Sequence, residues 1–180
     1  MKIFFLWLCI ISLGLPTAFA KQLELDAGGH FRFRAETRND VGYMSPSHNN
    51  KMIRLRPHLI FKSSDLVKVY FEPQVAKTLG NPASGTTSDP DLSIHQAYTK
   101  SSFIDKIMTV KVGRQILNYG DQLFISPLEW NNTGRTWDAV KLTVAPMDVL
   151  KIDFVHADKS NNSTTNLAGD DAEVSIIYSM

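Results

Sequence analysis

Arg32 and Arg34 stand two residues apart in one stretch of the chain, and Arg54 and Arg56 do so in another. Arginine presents a planar fork of N–H donors that fits a carboxylate bidentately. Lys68, Lys111 and Lys141 add cations, each flanked on both sides by apolar residues. Glu36, Glu72 and Asp138 are acids that could neutralise several of them. Such a set supports two chemistries. It either braces a fold through internal ion pairs, or it offers an electropositive surface where many weak sites favour the transit of carboxylates over their trapping. Other chemistry finds little support. The histidines at 30, 48, 58, 95 and 156 lack metal-ligand spacing, and no H-E-x-x-H occurs. There is no G-x-S-x-G, P-loop or dinucleotide fingerprint. Ser93 and His95 would share a strand face, as neighbouring polar residues often do by chance. Asp89 with Asp91, and Asp170 with Asp171, lack the EF-hand pattern. No enzyme, metal or cofactor is expected.

A spacing of two places side chains on one face only in an extended chain. Period-two alternation recurs in about eight segments, which predicts strands rather than helices. The first runs from Leu23 to Arg38, with His30, Arg32, Arg34 and Glu36 opposite Phe31, Phe33 and Ala35. The second, Met52 to Lys62, sets Arg54, Arg56 and His58 against Ile53, Leu55, Leu59 and Phe61. The third, Leu66 to Ala76, sets Lys68, Tyr70, Glu72 and Gln74 against Val67, Val69, Phe71 and Val75. Noisier segments follow at 92–100, 107–115, 136–144, 150–157 and 172–178; the last carries Val174, Ile176 and Tyr178 on one face.

The connections alternate in length. Ser63–Asp65, Ser101–Lys106 and Ala145–Val149 are short. Asn39–Lys51, Lys77–Asp91, Ile116–Arg135 and Asp158–Asp171 are long and rich in Gly, Ser, Asn, Asp, Pro and Thr. Short turns at one end and long loops at the other is the plan of outer-membrane barrels, whose short turns are periplasmic. A soluble sandwich has no reason to sort its loops this way. The barrel reading turns the apolar face to lipid and the charged face inward, since an Arg facing lipid at mid-bilayer costs roughly 2–4 kcal/mol. Trp130, Trp137, Tyr43, Tyr98, Tyr119 and Phe103, near strand ends, would form interfacial girdles.

The N-terminus supports export. Lys2, an apolar run from Phe4 to Leu15 and Ala18-Phe19-Ala20 read as a signal peptide over 1–20, cleaved after Ala20. The run is too short for a transmembrane helix of roughly 20 residues. Cleavage removes Cys9, the one cysteine, and leaves a chain of near-zero charge with no basic excess for nucleic acid. Residues 21–180 then form one domain: an all-β, antiparallel up-and-down transmembrane barrel of about eight strands.

Three spaced motifs stand out: Lys111-Val112-Gly113-Arg114-Gln115, then Tyr119-Gly120-Asp121-Gln122, then Asn132-Thr133-Gly134-Arg135-Thr136-Trp137-Asp138-Ala139-Val140-Lys141-Leu142. With Arg54-Leu55-Arg56-Pro57 and His95-Gln96-Ala97-Tyr98, this pattern resembles the alginate-export family of outer-membrane barrels over most of residues 25–157. The resemblance implies a porin that lets an anionic exopolysaccharide, typically alginate, leave the cell. It adds Arg114, Arg135 and Asp138 to Arg32, Arg34, Arg54, Arg56, Lys68, Glu72, Lys111 and Lys141 as candidates lining the lumen. The implied partners are outer-membrane lipid, the polysaccharide and periplasmic secretion or assembly proteins. Family barrels have well over twice the strands counted here and end in an aromatic residue, whereas this chain ends Ser179-Met180. The expectation is therefore the N-terminal part of a larger barrel, from a truncated frame or a fragment, with no working channel of its own. Eight strands closed on themselves would be just filled by side chains. The alternatives are such a small structural or adhesin-like barrel and a general small-solute porin.

Overall fold

A computed structural model describes residues 23–38, 48–79, 91–159 and 173–179. The expected signal peptide, Tyr43, and most of the loops expected at 39–51, 77–91 and 158–171 lie outside the described residues. The described chain forms eight strands: β1 (Glu24–Arg38), β2 (His48–Ser64), β3 (Val67–Leu79), β4 (Asp91–Phe103), β5 (Met108–Gln115), β6 (Trp137–Met147), β7 (Leu150–Lys159) and β8 (Glu173–Ser179). They lie in one sheet in chain order, every neighbouring pair antiparallel. This is the all-β, up-and-down arrangement expected from the alternation. The sheet is open, β1 and β8 being its two edges.

Several strands are longer than the alternation suggests. β2 begins at His48, four residues before Met52, and runs to Ser64. β1 to β4 are 13 to 17 residues long, more than the 9–11 or so that cross a hydrocarbon core. Two-residue turns at Asp65-Leu66 and Asp148-Val149, and a four-residue turn at 104–107, join strands at one end of the sheet. Residues 39–47, 80–90, 116–136 and 160–172 join them at the other.

Parity divides the sheet into two faces. One carries Phe31, Phe33, Leu55, Leu59, Val69, Phe71, Val112, Val140 and Phe154, all exposed. Exposed apolar side chains over so many strands form a surface for lipid. The other face carries the charged side chains and is covered by residues 116–136, so it is called the inner face below.

Two prolines shape the middle. By register Pro57 of β2 stands opposite Pro73 of β3, and the ladder skips from Leu55↔Val75 to Leu59↔Phe71. Neither proline has an N–H to donate. Pro73 also coincides with a register shift against β4, where Glu72 faces Gln96 and Pro73 faces Ile94. His95 is the extra residue of this bulge, an irregularity that re-aims a side chain, and its side chain is fully buried.

Polarity does not hold one sense through β6–β8. The inner face there is apolar: Trp137, Ala139, Val155 and Ala157 form the buried cluster, with Val174 and Ile176 packed against it. The apolar side of β8 thus faces inward, whereas the barrel rule puts it to lipid. Leu117, Tyr119 and Ile125 of the inserted segment cover it, so these residues are sheltered by the chain's own loop.

Candidate functional site

The inner face has three layers along the strands. The first, nearest the long-loop end, holds Arg32 and Arg34 of β1 and Arg54 and Arg56 of β2. Register puts Arg32 opposite Arg54 and Arg34 opposite Met52. Like charges directly opposite repel, so the layer needs anionic or carbonyl partners. Segment 116–136 supplies them. Arg32 donates to the carbonyls of Glu129 (2.6 Å) and Asn131 (2.9 Å). Arg34 donates to the Trp130 carbonyl, lies 4.3 Å above the Trp130 ring and pairs with Glu36 at 2.9 Å. Arg54 and Arg56 both meet the Glu129 carboxylate at 2.9 Å. Arg56 also donates through Nε to Gln74 Oε1 (2.6 Å) and through Nη2 to the Thr133 carbonyl (3.0 Å). Asn132 donates to the carbonyls of Ile53 (3.4 Å) and Lys77 (3.2 Å), tying the segment to β2 and β3.

Glu129 is the hub. Its burial disfavours charge, but His95 and the Arg56 and Arg54 guanidiniums outweigh that and hold the carboxyl down at about 2. His95 Nε2 lies 3.7 Å from Glu129 and 3.9 Å from Glu72, beyond hydrogen-bond reach, so the arginines make the direct bonds. The segment can pass this close because of Gly134. A Cβ there would sit 2.8 Å from Arg56 Nη2, and the residue has φ +73°. The Thr133-Gly134-Arg135 motif is thus a close approach of backbone to guanidinium.

The second layer is aromatic. His58, Tyr70 and Tyr98 of β2, β3 and β4 stack nearly parallel, with ring centroids 5.7 and 5.1 Å apart. Lys111 Nζ caps the column 3.7 Å from the Tyr98 ring. Tyr70 donates to Glu72 (2.7 Å), and Gln96 donates to the other oxygen of that carboxylate (3.1 Å). Glu72 is therefore inward, as expected, but bonded to neutral donors.

The third layer, at the short-turn end, is a row of lysines. Register sets Lys62 opposite Lys68, Lys68 opposite Lys100, Lys100 opposite Lys111 and Lys111 opposite Lys141. Lys62 pairs with Glu24 at 3.0 Å, and Lys141 with the fully buried Asp153 at 2.6 Å. Asp153 also accepts from Thr143 (2.6 Å) and from Tyr119 (3.0 Å). Burial and that carboxylate push the Tyr119 hydroxyl up, so it stays a donor. Below the row lies a cavity of about 590 Å³.

The structure brings Arg32, Arg34, Arg54, Arg56, Lys68, Glu72, Lys111 and Lys141 onto one face. Arg135 sits where the inserted segment returns to β6, its N–H donating to the Pro127 carbonyl (2.7 Å). Arg114 and Asp138 correct the expected inward placement. They are register partners on the opposite face, paired with each other at 2.7 Å beside Val112 and Val140. Strand parity requires this, since Arg114 is three residues from Lys111, and Asp138 three from Lys141. Gly113 keeps the strand in place there: a Cβ would fall 2.3 Å from the Ala97 carbonyl oxygen, and its φ is +116°. The expected girdle is also corrected. Trp137 is buried inside and Tyr98 and Tyr119 face inward, while Phe103 and Trp130 are exposed. Among the described residues no cluster of His, Cys, Asp and Glu could hold a metal ion. Sequence reasoning missed Glu129, Gln74 as a partner of Arg56, His95, Tyr119 and Asp153. A signal existed for Glu129: Leu128-Glu129-Trp130 sets an acid between two large apolar residues.

An up-and-down antiparallel sheet with a largely apolar outer face and, over β1–β5, a charged inner one is the architecture of an outer-membrane β-barrel. The family described as alginate export matches residues 23–156, more than half of the chain, and the chain belongs to that family. No curated protein matches it.

Proposed function

We propose that the chain contributes an electropositive inner surface along which an anionic exopolysaccharide such as alginate leaves the cell. The observation that carries this reading is the gathering of Arg32, Arg34, Arg54, Arg56, Lys68, Lys111 and Lys141 on one face, away from lipid. Forked guanidiniums suit carboxylates, and a ring of cations selects anions in a pore. The role is transport and not catalysis, in keeping with a sequence that lacks a nucleophile motif. Residues 1–20 act as the export signal and residues 21–180 as the membrane domain, with outer-membrane lipid and periplasmic secretion or assembly proteins as further partners. N-terminal sequencing of protein from the outer-membrane fraction should begin at Lys21.

The test is the reversal potential of the full chain in a planar bilayer under a salt gradient. Anion preference that weakens when Arg32, Arg34, Arg54 and Arg56 become Gln supports the reading. Cation preference, unchanged by those substitutions, overturns it.

A further inference from the structure

In the arginine layer the terminal guanidinium nitrogens are engaged by Glu129 and by main-chain carbonyls, leaving only the buried Nε atoms of Arg32, Arg34 and Arg54 without a hydrogen bond. The lysine layer is less fully engaged. Five lysines stand directly opposite one another across β2–β6, an arrangement that destabilises a sheet. Acids neutralise only its ends, Glu24 at Lys62 and Asp153 at Lys141. Among the described residues Lys68, Lys100 and Lys111 form no ion pair. All face inward by parity, so lipid headgroups do not reach them. Lys106 and Lys151 line the same cavity nearer the turns, with Asp65 as its one acidic lining residue. Lys151 lies two residues before Asp153, which faces Thr143. That places it about 13 Å along the strands from the level of Lys141, at about 3.3 Å per residue.

We propose that this cavity is a binding site for a chain of linked uronic acids. The collar of Lys68, Lys100 and Lys111 holds one carboxylate, and Lys106 with Lys151 hold another further along the same chain. The inference rests on the anionic-polysaccharide reading and adds where the polymer is first held: the short-turn mouth, before the arginine layer. Its volume of about 590 Å³ suits a ligand far larger than a lone anion. Lysine fits a holding site that must let go. Its ammonium is a hydrated point charge with no fork to lock a carboxylate, and release is as necessary as capture for conduction. The uncompensated repulsion in the row is the cost of leaving that site open.

The test is equilibrium binding to the full chain refolded in detergent micelles. The probes are a tetrameric oligouronate, its monosaccharide, its neutral methyl ester and inorganic phosphate. The tetramer should bind at least ten-fold more tightly than the other three, and at least ten-fold less tightly to a Lys100→Gln, Lys106→Gln, Lys151→Gln variant. All three lysines are exposed, and Lys100→Gln relieves repulsion, so the variant's unfolding midpoint should stay level or rise while binding falls. A variant that binds the tetramer as wild type does overturns the proposal. So does phosphate or the monosaccharide binding as tightly as the tetramer, or a loss of binding that tracks a loss of stability. With anion preference intact in the bilayer, any of these sinks the lysine site alone. Cation preference there sinks the broader reading, whatever the tetramer does.

Discussion

Replacing Glu129 by Gln should release the inserted segment without unfolding the sheet. The carboxylate receives Arg54 Nη2 at 2.9 Å and Arg56 Nη1 at 3.0 and 2.9 Å. Those guanidiniums are only 4% and 6% exposed, but Glu129 is 43% exposed. A hydrogen bond to a charged group contributes about 1.5–3 kcal/mol. Solvent screening at a half-exposed carboxylate roughly halves each bond, and the Gln carbonyl still accepts one. The net loss is about 2 kcal/mol, roughly thirty-fold in the docking equilibrium. The assay is amide hydrogen exchange in micelles. Asn131 and Arg135, whose N–H groups bond to the Leu128 and Pro127 carbonyls, should lose protection about thirty-fold, while β2 and β3 hold theirs. Unchanged protection in the segment would refute the argument, and so would an equal loss throughout β2 and β3. The pH dependence follows from the same carboxyl. Its value in the fold is about 2 against an ordinary 4.5, so its contribution is complete above about 4.5 and is lost as pH falls through 2. Wild-type docking, corrected for intrinsic exchange, should weaken across that window, and the Gln variant should not respond there.

Gly113→Ala should disrupt the β4–β5 ladder, because the new Cβ meets a main-chain oxygen at 2.3 Å and φ +116° is strained for any L side chain. A loss of at least about 2 kcal/mol should appear in the urea midpoint, and an unshifted midpoint would contradict the structure. Asp153→Asn leaves Lys141 facing a neutral group in a buried site and should cost about 3 kcal/mol, read by the same titration. Arg114→Gln breaks an ion pair on the outer face and should change stability by less than about 1 kcal/mol. It should also leave the reversal potential where it was, whereas the inner arginines should move it.

Strand existence and number were legible because alternation marks half-exposed strands directly. His30, Arg32, Arg34 and Glu36 against Phe31, Phe33 and Ala35 admit one conformation. Turn positions were legible too, since Ser63–Asp65 and Ala145–Val149 interrupt the period. Strand ends were not. The extension of β2 back to His48 passes through Asn49, Asn50 and Lys51, where no apolar side chain marks a face. The inversion of β8 was hidden for another reason. Val174, Ile176 and Tyr178 show an apolar side, but whether that side meets lipid or a loop depends on what folds over it. That covering comes from Leu117, Tyr119 and Ile125, about fifty residues earlier in the chain.

The site divides along the same line. Side chains on strands were assignable by parity, and Arg32, Arg34, Arg54, Arg56, Lys68, Lys111 and Lys141 fall together for that reason. Arg114 and Asp138 went astray where a motif outweighed an odd spacing. The motif identifies a family, whereas parity decides a face. Glu129 obeys neither rule, because a loop residue has no period. Its importance comes from a deficit elsewhere: four inward arginines, with Glu36 on Arg34 and Glu72 held by Tyr70 and Gln96. With Glu36, among the described residues, the one strand-borne acid paired to these four arginines, the layer must take its remaining anion from a loop or from a ligand. Here the loop supplies it through Glu129. A polymer's carboxylates must compete with Glu129 and the carbonyls of 129–133 for the arginines, but meet no such competitor at Lys68, Lys100 and Lys111. Under the proposed reading, anion capture begins at the lysines and precedes the arginine layer.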